Sequence, residues 1–270
     1  MLLNGLPATE LSLLDRGLAY GDGLFETLLV QRGRPVFLTE HLARLQLGCG
    51  VLGLVTDMAA LRAEIDLVLD WPEARSAVMK IMLTRESKGR GYQPGTSACN
   101  RIIALHRVPD YSEQRPEQGI ATFLCRQALA RQPVLAGLKH LNRLEQVLAS
   151  REWPDDSFLE GLMLDTTGLV IEGTRTNVFA VIDGKLKTPA VDQCGVAGVL
   201  RAVLLQHFEG SVQVASITLN ELQRASEVFV CNSVNGIWPV TSLHADGNSW
   251  RYSVGDYARS AQQRFREALA

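Results

Sequence analysis

The chain has 270 residues, 46% of them hydrophobic, and a formal net charge of −2. That apolar fraction can fill one large core or two modest ones. The near-neutral charge offers no basic field for nucleic acid and no polybasic patch for a membrane surface. The opening run Met1-Leu2-Leu3-Asn4-Gly5-Leu6-Pro7 has neither the basic start nor the long apolar stretch of a secretory leader. No apolar run approaches the roughly 20 residues of a membrane span, so a cytoplasmic protein is expected. The five cysteines never form a C-x-x-C pair, and the five histidines never form H-x-x-x-H. Neither a disulfide framework nor a metal site is expected from such spacing.

In chain order, Leu24 to Val30 reads as a strand, and Arg32-Gly33 as a turn into Pro35-Val36-Phe37-Leu38. A helix follows with Thr39 as its N-cap, and a second helix fits Met58 to Leu69. Ala77 to Thr84 and Arg101 to His106 read as buried strands, with the polar, glycine-bearing loop Arg85 to Gly95 between them. These elements form a small α+β part over residues 1–109. The polar, proline-bearing stretch from Val108 to Pro116 suggests an interdomain linker, placed at 110–118. A larger, β-rich part spans 119–270. It opens with a strand from Gly119 to Cys125, followed by an apolar helical stripe of Leu141, Leu144 and Leu148 that must face a core. Strands are expected at Gly161–Asp165, Leu169–Ile171 and Asn177–Ile182, with Asp183-Gly184 as a hairpin turn into Lys185–Thr188. Helices at Val199–Phe208 and Leu219–Arg224, a strand at Glu227–Cys231 and a helix at Val254–Leu269 complete the chain.

Four features in the second part could carry chemistry. Lys139, in Gly137-Leu138-Lys139-His140-Leu141-Asn142-Arg143-Leu144-Glu145, is expected at the edge of the packed interior. A lysine in partly dry surroundings sheds its charge more readily, as a Schiff-base nucleophile must. Glu172 ends an apolar strand in Val170-Ile171-Glu172-Gly173-Thr174-Arg175-Thr176-Asn177. Gly195-Val196-Ala197-Gly198-Val199-Leu200-Arg201 feeds a helix whose free N–H groups would cradle a phosphate. Phe229-Val230-Cys231-Asn232-Ser233-Val234-Asn235-Gly236 takes a buried strand into amide and hydroxyl residues. Each has an ordinary reading alone: a solvated lysine, a rim glutamate paired with Arg175, a common glycine turn, a strand-end turn. Together, a lysine, a carboxylate and a phosphate cradle suggest pyridoxal 5′-phosphate.

The same residues carry a resemblance. Glu172-Gly173-x-x-x-Asn177-Val178-Phe179 and the arginine of His41-Leu42-Ala43-Arg44-Leu45 resemble the branched-chain aminotransferase-like class, fold type IV, of pyridoxal phosphate enzymes. Within that class, the string from Gly137 to Glu145 and the loop Gly89-Arg90-Gly91-Tyr92 are similar to those of aminodeoxychorismate lyases. D-amino acid aminotransferases have a related Lys-Ser-Leu-Asn run without the His-Leu-Asn-Arg-Leu-Glu string.

The resemblance implies a two-domain α+β fold of type IV, a homodimer, and a lyase acting on 4-amino-4-deoxychorismate. The alternative is an aminotransferase for D-amino or branched-chain amino acids, and a non-enzymatic cofactor-binding protein is a third possibility. The resemblance makes Lys139 the Schiff-base lysine and Glu172 the pyridine-nitrogen partner. Arg44 and the backbone amides of Val199 and Leu200 would hold the phosphate, with Asn232 and Ser233 in a second phosphate-side loop. Val234 stands where the class often has a hydroxyl residue. Arg90 occupies the place of a substrate-carboxylate arginine, and Tyr92 a place held by histidine in D-amino acid aminotransferases. Phe25 and Thr27 would face the active site.

Overall fold

The computed structural model describes residues 1–88 and 91–270. Contacts divide the chain into two units, Met1–Pro109 with Leu138–Asn142, and Asp110–Gly137 with Arg143–Ala270. The stretch 110–118, expected to link two domains, falls inside the second unit. Tyr111 packs edge-on against Trp238 at 5.0 Å, and Pro116 is buried, so this polar, proline-bearing run still supplies packing. The expected 119–270 part gives up Leu138–Asn142, the segment that holds Lys139, to the first unit.

The first unit contains β1 (Leu2–Leu3), β2 (Leu6–Pro7), α1 (Arg16–Tyr20), β3 (Gly23–Gln31), β4 (Arg34–Pro35), α2 (Leu38–Leu52), α3 (Met58–Leu69), β5 (Ser76–Arg85) and β6 (Cys99–His106). Among the described residues its six strands form one antiparallel sheet in the order β2-β1-β6-β5-β3-β4. Alternation along β3 sends Leu24, Leu28 and Val30 into a core with Leu42, Leu45 and Cys49 of α2 and Leu61, Ile65 and Val68 of α3. It leaves Phe25 and Thr27 half-buried on the other face. Helix α3 starts where Asp57 accepts the Ala59 and Ala60 N–H groups, each at 2.9 Å. Thr39, the expected cap of α2, instead lies within its first turn. The chain enters α2 through Phe37 at φ 57°, and no side chain caps it.

The second unit contains β7 (Ile120–Leu124), α4 (Leu144–Ser150), β8 (Phe158–Leu164), β9 (Leu169–Gly173), β10 (Asn177–Ile182), β11 (Lys185–Thr188), α5 (Val199–His207), β12 (Val212–Val214), β13 (Ile217–Thr218), α6 (Leu219–Gln223), β14 (Glu227–Asn232), β15 (Gly236–Ala245), β16 (Asn248–Arg251) and α7 (Asp256–Leu269). Among the described residues the order is β12-β11-β10-β14-β15-β7-β8-β9-β13, with β16 beside β15. β9 also meets β10, through Glu172 and Asn177, which closes six of these strands into a ring. Asp183-Gly184 makes the expected tight turn, with φ of 51° and 73°. Asp246-Gly247, at 46° and 79°, makes a second one that joins β15 to β16. That pair carried the same signal in the sequence.

The helical stripe around Leu144 differs from expectation. Residues 138–142 are extended rather than helical, with His140 bridged to Leu24, so α4 cannot begin before Leu144. Leu144 and Leu148 are then 69% and 41% exposed instead of facing a core.

Candidate active site

Lys139 is held by backbone pairing along β3. The Phe25 N–H donates to the Lys139 carbonyl at 2.9 Å, and the Leu141 N–H to the Gly23 carbonyl at 3.0 Å. This pairing places the Lys139 Nζ 4.3 Å from the centre of the Phe25 ring. The amine therefore sits half-buried against an aromatic face, within cation–π distance of the ring.

One residue along, β3 turns Glu26 to its opposite face, where the carboxylate is fully buried among the core leucines. Glu26 Oε1 accepts from Arg44 Nε at 2.8 Å, and Oε2 accepts from Arg44 Nη2 and from His41 Nδ1, the latter at 2.6 Å. An ionised carboxylate can only accept, so the His41 proton resides on Nδ1. Burial pushes Glu26 upward, but the hydrogen bonds from His41 and Arg44 outweigh it and hold the carboxyl below its ordinary range. Burial pushes His41 down. Its bond to Glu26 opposes this, and the positive charges of Arg44 and Lys139 push it further down. His41 is thus neutral at pH 7, and Arg44 is braced by a buried anion.

Glu26 and His41 did not enter the sequence-based site. A signal existed, since a glutamate on the apolar face of a strand must find a cation. His41 and Arg44, at i and i+3, share one face of the neighbouring helix.

In the second unit Glu172 lies at the closure of β9 onto β10 and is buried. Its Oε2 accepts the Val196 N–H at 2.8 Å, and Asn177 Nδ2 donates to the Val196 carbonyl at 2.8 Å. The Gly195–Ala197 turn is clamped further by Gly137, whose N–H donates to Gly195 and whose carbonyl accepts from Ala197. Gly195 has φ 82°, and a Cβ there would stand 2.7 Å from Ile171 Cγ2, so only glycine fits. Glu172 does not take the rim pairing with Arg175. Arg175 instead donates to the Leu159 carbonyl at 2.5 Å and lies 3.9 Å from Glu160. Arg143 is a nearby cation, held below the usual arginine range by burial, with the Glu172 charge working against that effect, and Arg201 feels the same Glu172 charge.

The same turn runs into α5. Its N-cap, Gly198, supplies no side chain, and the amides of Val199 and Leu200 open the helix. A helix start of this kind presents N–H donors and a partial positive charge to an anion. Arg201 is buried in that first turn and donates to the Pro189 carbonyl at 2.8 Å, which adds positive charge.

Asn232 spends its side chain inside its own turn. Its Oδ1 accepts from the Val234 and Asn235 N–H groups at 3.0 and 2.7 Å, and its Nδ2 donates to the Arg175 carbonyl. Ser233 and Val234 sit on that turn, both half-buried. Tyr92 is 87% exposed, with its ring 5.5 Å from Tyr20. Arg90 lies outside the described residues. The structure thus groups Lys139, Phe25, Thr27 and Arg44 in the first unit, and Glu172, Val199, Leu200, Asn232 and Ser233 in the second.

A family model described as amino-transferase class IV matches residues 23–243. The chain belongs to this family. Its match begins at the first residue of β3 and takes in Phe25, Arg44, Lys139, Glu172 and Ser233. Within the class IV aminotransferase family, an aminodeoxychorismate lyase of Vibrio harveyi is 36% identical, covering 96% of this chain and 97% of that one. A putative branched-chain-amino-acid aminotransferase of Methanocaldococcus jannaschii is 31% identical over 96% of this chain and 91% of its own. The crystal structure of 4-amino-4-deoxychorismate lyase from Pseudomonas aeruginosa matches with a TM-score of 0.93 and 46% identity, covering 99% and 98% of the two chains. The resemblance read from the motif strings is borne out by the family, by these relatives and by the fold.

Proposed function

We propose that this class IV aminotransferase-family chain is a pyridoxal phosphate-dependent lyase that converts 4-amino-4-deoxychorismate to 4-aminobenzoate and pyruvate, a step of folate biosynthesis. The observation that carries the reading is the likeness to the P. aeruginosa lyase over nearly the whole of both chains. The residues fit the cofactor: an amine on an apolar ring, a buried carboxylate locked by Val196, and a helix start without a side-chain cap. Lys139 would carry it, Glu172 would face its ring nitrogen, and Arg44 with the Val199 and Leu200 amides would hold its phosphate. Ser233 would add a contact, on a turn that the Asn232 side chain shapes.

Pyridoxal phosphate, when bound, supplies an electron sink beside the carbon that bears the substrate amine. Glu172, a buried carboxylate, would keep the pyridine nitrogen protonated and so sustain that sink. Lys139 takes the proton from the amine-bearing ring carbon, the enolpyruvyl group departs as the ring becomes aromatic, and Lys139 returns a proton to the departing group. Phe25 and Thr27 on the open face of β3, with Arg90 and Tyr92, are assigned to substrate. A guanidinium suits a substrate with two carboxylates, since its planar fork can take one of them bidentately.

A homodimer in the cytoplasm completes the reading. Leu13 and Leu14 of the first unit and Leu144 of the second expose apolar surface of the kind a second copy would cover. No helix among the described residues is long and apolar enough to cross a membrane.

The 31% identity to the M. jannaschii chain favours a second reading, transamination of an amino acid. Cofactor-loaded protein given 4-amino-4-deoxychorismate separates the two. Matched amounts of 4-aminobenzoate and pyruvate, lost in Lys139→Ala, are expected. A keto acid formed from D- or L-amino acids, with no 4-aminobenzoate, would establish the aminotransferase instead.

A further inference from the structure

Arg16 opens the short helix α1, yet its side chain is buried. Its Nη1 donates to the Gly91 carbonyl at 2.8 Å, its Nη2 to the Tyr92 carbonyl at 3.0 Å, and its Nε to Asp22 Oδ2 at 2.9 Å. Asp22 does not depend on Arg16 for charge, because Arg85 Nε donates to the same oxygen at 2.9 Å. Arg85 in turn ties the end of α2, donating to the Leu52 and Gly53 carbonyls at 2.6 and 3.0 Å.

The start of α1 is pinned independently. Asp15 accepts from Thr84 Oγ1 of β5 at 2.6 Å and from Asn100 Nδ2 of β6 at 3.0 Å. The guanidinium thus projects from a fixed base and spends both terminal nitrogens on two successive loop carbonyls. Tyr92 itself is largely exposed and has no core to hold it. Its ring meets Tyr20, which also lies 4.8 Å from the Arg16 guanidinium.

We propose that Arg16 is a positioning residue for substrate recognition: it fixes the Gly91–Tyr92 backbone and thereby sets affinity for the carboxylate-bearing substrate without touching it. This rests on the reading that Tyr92 meets substrate. Only a planar fork serves two adjacent carbonyls and a carboxylate at once. A lysine keeps the charge beside Asp22 but is a point donor on a flexible stem.

The test compares wild-type holoenzyme with Arg16→Lys, and with Arg16→Gln should the lysine variant fold poorly. For Arg16→Lys, KM for 4-amino-4-deoxychorismate is expected to rise about tenfold while kcat stays within about threefold, the signature of lost ground-state binding. The visible absorbance of the bound cofactor and the melting temperature stay near wild type. Combining it with Tyr92→Ala should raise KM less than the product of the two single effects, because both act through one loop. Tryptic cleavage after Lys88 in the folded protein should speed up about tenfold. Unchanged KM with unchanged cleavage would overturn the proposal, as would losses of kcat and melting temperature in step with KM. A wild-type protein that makes no 4-aminobenzoate defeats the functional reading, and the cleavage comparison then still decides whether Arg16 holds the loop.

Discussion

At position 26 a carboxylate stands in a row of core leucines, and a cation, Arg44, with a neutral N–H donor, His41, on the adjacent helix makes that tolerable. Removing one partner of a buried pair leaves the other charge stranded, at a cost of about 3–5 kcal/mol. Glu26→Gln keeps an acceptor oxygen, so a loss near the lower end, about 3 kcal/mol, is expected in urea unfolding. Cofactor retention should weaken with it, because Arg44 loses its brace. An unchanged dissociation constant for pyridoxal phosphate would show that Arg44 needs no such support.

The pH dependence follows in sign. His41 and Glu26 both titrate below their ordinary ranges in the fold, so below about pH 6.5 the unfolded chain takes up a proton at His41 that the folded one resists. Stability is therefore full above that pH and falls toward acid, by up to about 1.4 kcal/mol per pH unit for each such proton. Urea midpoints from pH 7.5 to 5 should show this slope, and His41→Gln should flatten it. Glu172→Gln belongs to the same scale. Turnover should drop well over tenfold while the cofactor still binds, and equal turnover would remove Glu172 from its role. Of these residues Lys139, Glu172 and Arg44 were legible in the sequence because each sits in a short contiguous string. Glu26 and His41 matter through a contact between a strand and a helix, which no single string displays.

Among elements, the start of α5 depends on what Gly198 lacks. A Cβ there would stand 2.0 Å from Asn177 Oδ1, and Asn177 cannot swing aside while its amide holds the Val196 carbonyl. Gly198→Ala should therefore displace the Val199 and Leu200 amides and weaken cofactor affinity tenfold or more, read by equilibrium titration. Affinity equal to wild type would mean that the helix start does not hold the phosphate. Helix α6 offers a contrast far from this chemistry. Thr218 and Glu221 form a reciprocal capping box, so Thr218→Ala should cost about 1 kcal/mol in thermal unfolding and leave turnover alone. From the sequence, both helices were placed to within one residue at each end. The run after Gly137 was not, because its leucines keep a helical spacing while the backbone at 138–142 is committed to β3.

For the molecule as a whole, all five cysteines are buried. Burial pushes Cys49 up to about 11, and Cys125, Cys194 and Cys231 up to about 12. Thiolate is scarce there at neutral pH, and access is closed as well. A thiol reagent at pH 8 should label almost nothing in the native protein and five groups after denaturation. Rapid labelling of native protein would indicate an opened core. The exposed leucines bear on assembly: sedimentation at micromolar concentration should give a dimer mass, and a monomer would remove the second copy from the reading.

The sequence by itself determined what is local. Helical and strand periods and the Asp-Gly turns follow from φ, ψ and hydrogen bonding within a few residues. The strings around Lys139 and Glu172 belong there too, since chemistry assigned to one side chain stays with its neighbours in the chain. Only the tertiary structure decided what depends on pairing across long separations. It drew Leu138–Asn142 onto β3, left the α4 leucines exposed, set Glu26 against His41 and Arg44, and closed β9 onto β10 at Glu172. Those outcomes turn on which backbone edges and buried charges find each other in space, and sequence periodicity carries no record of that.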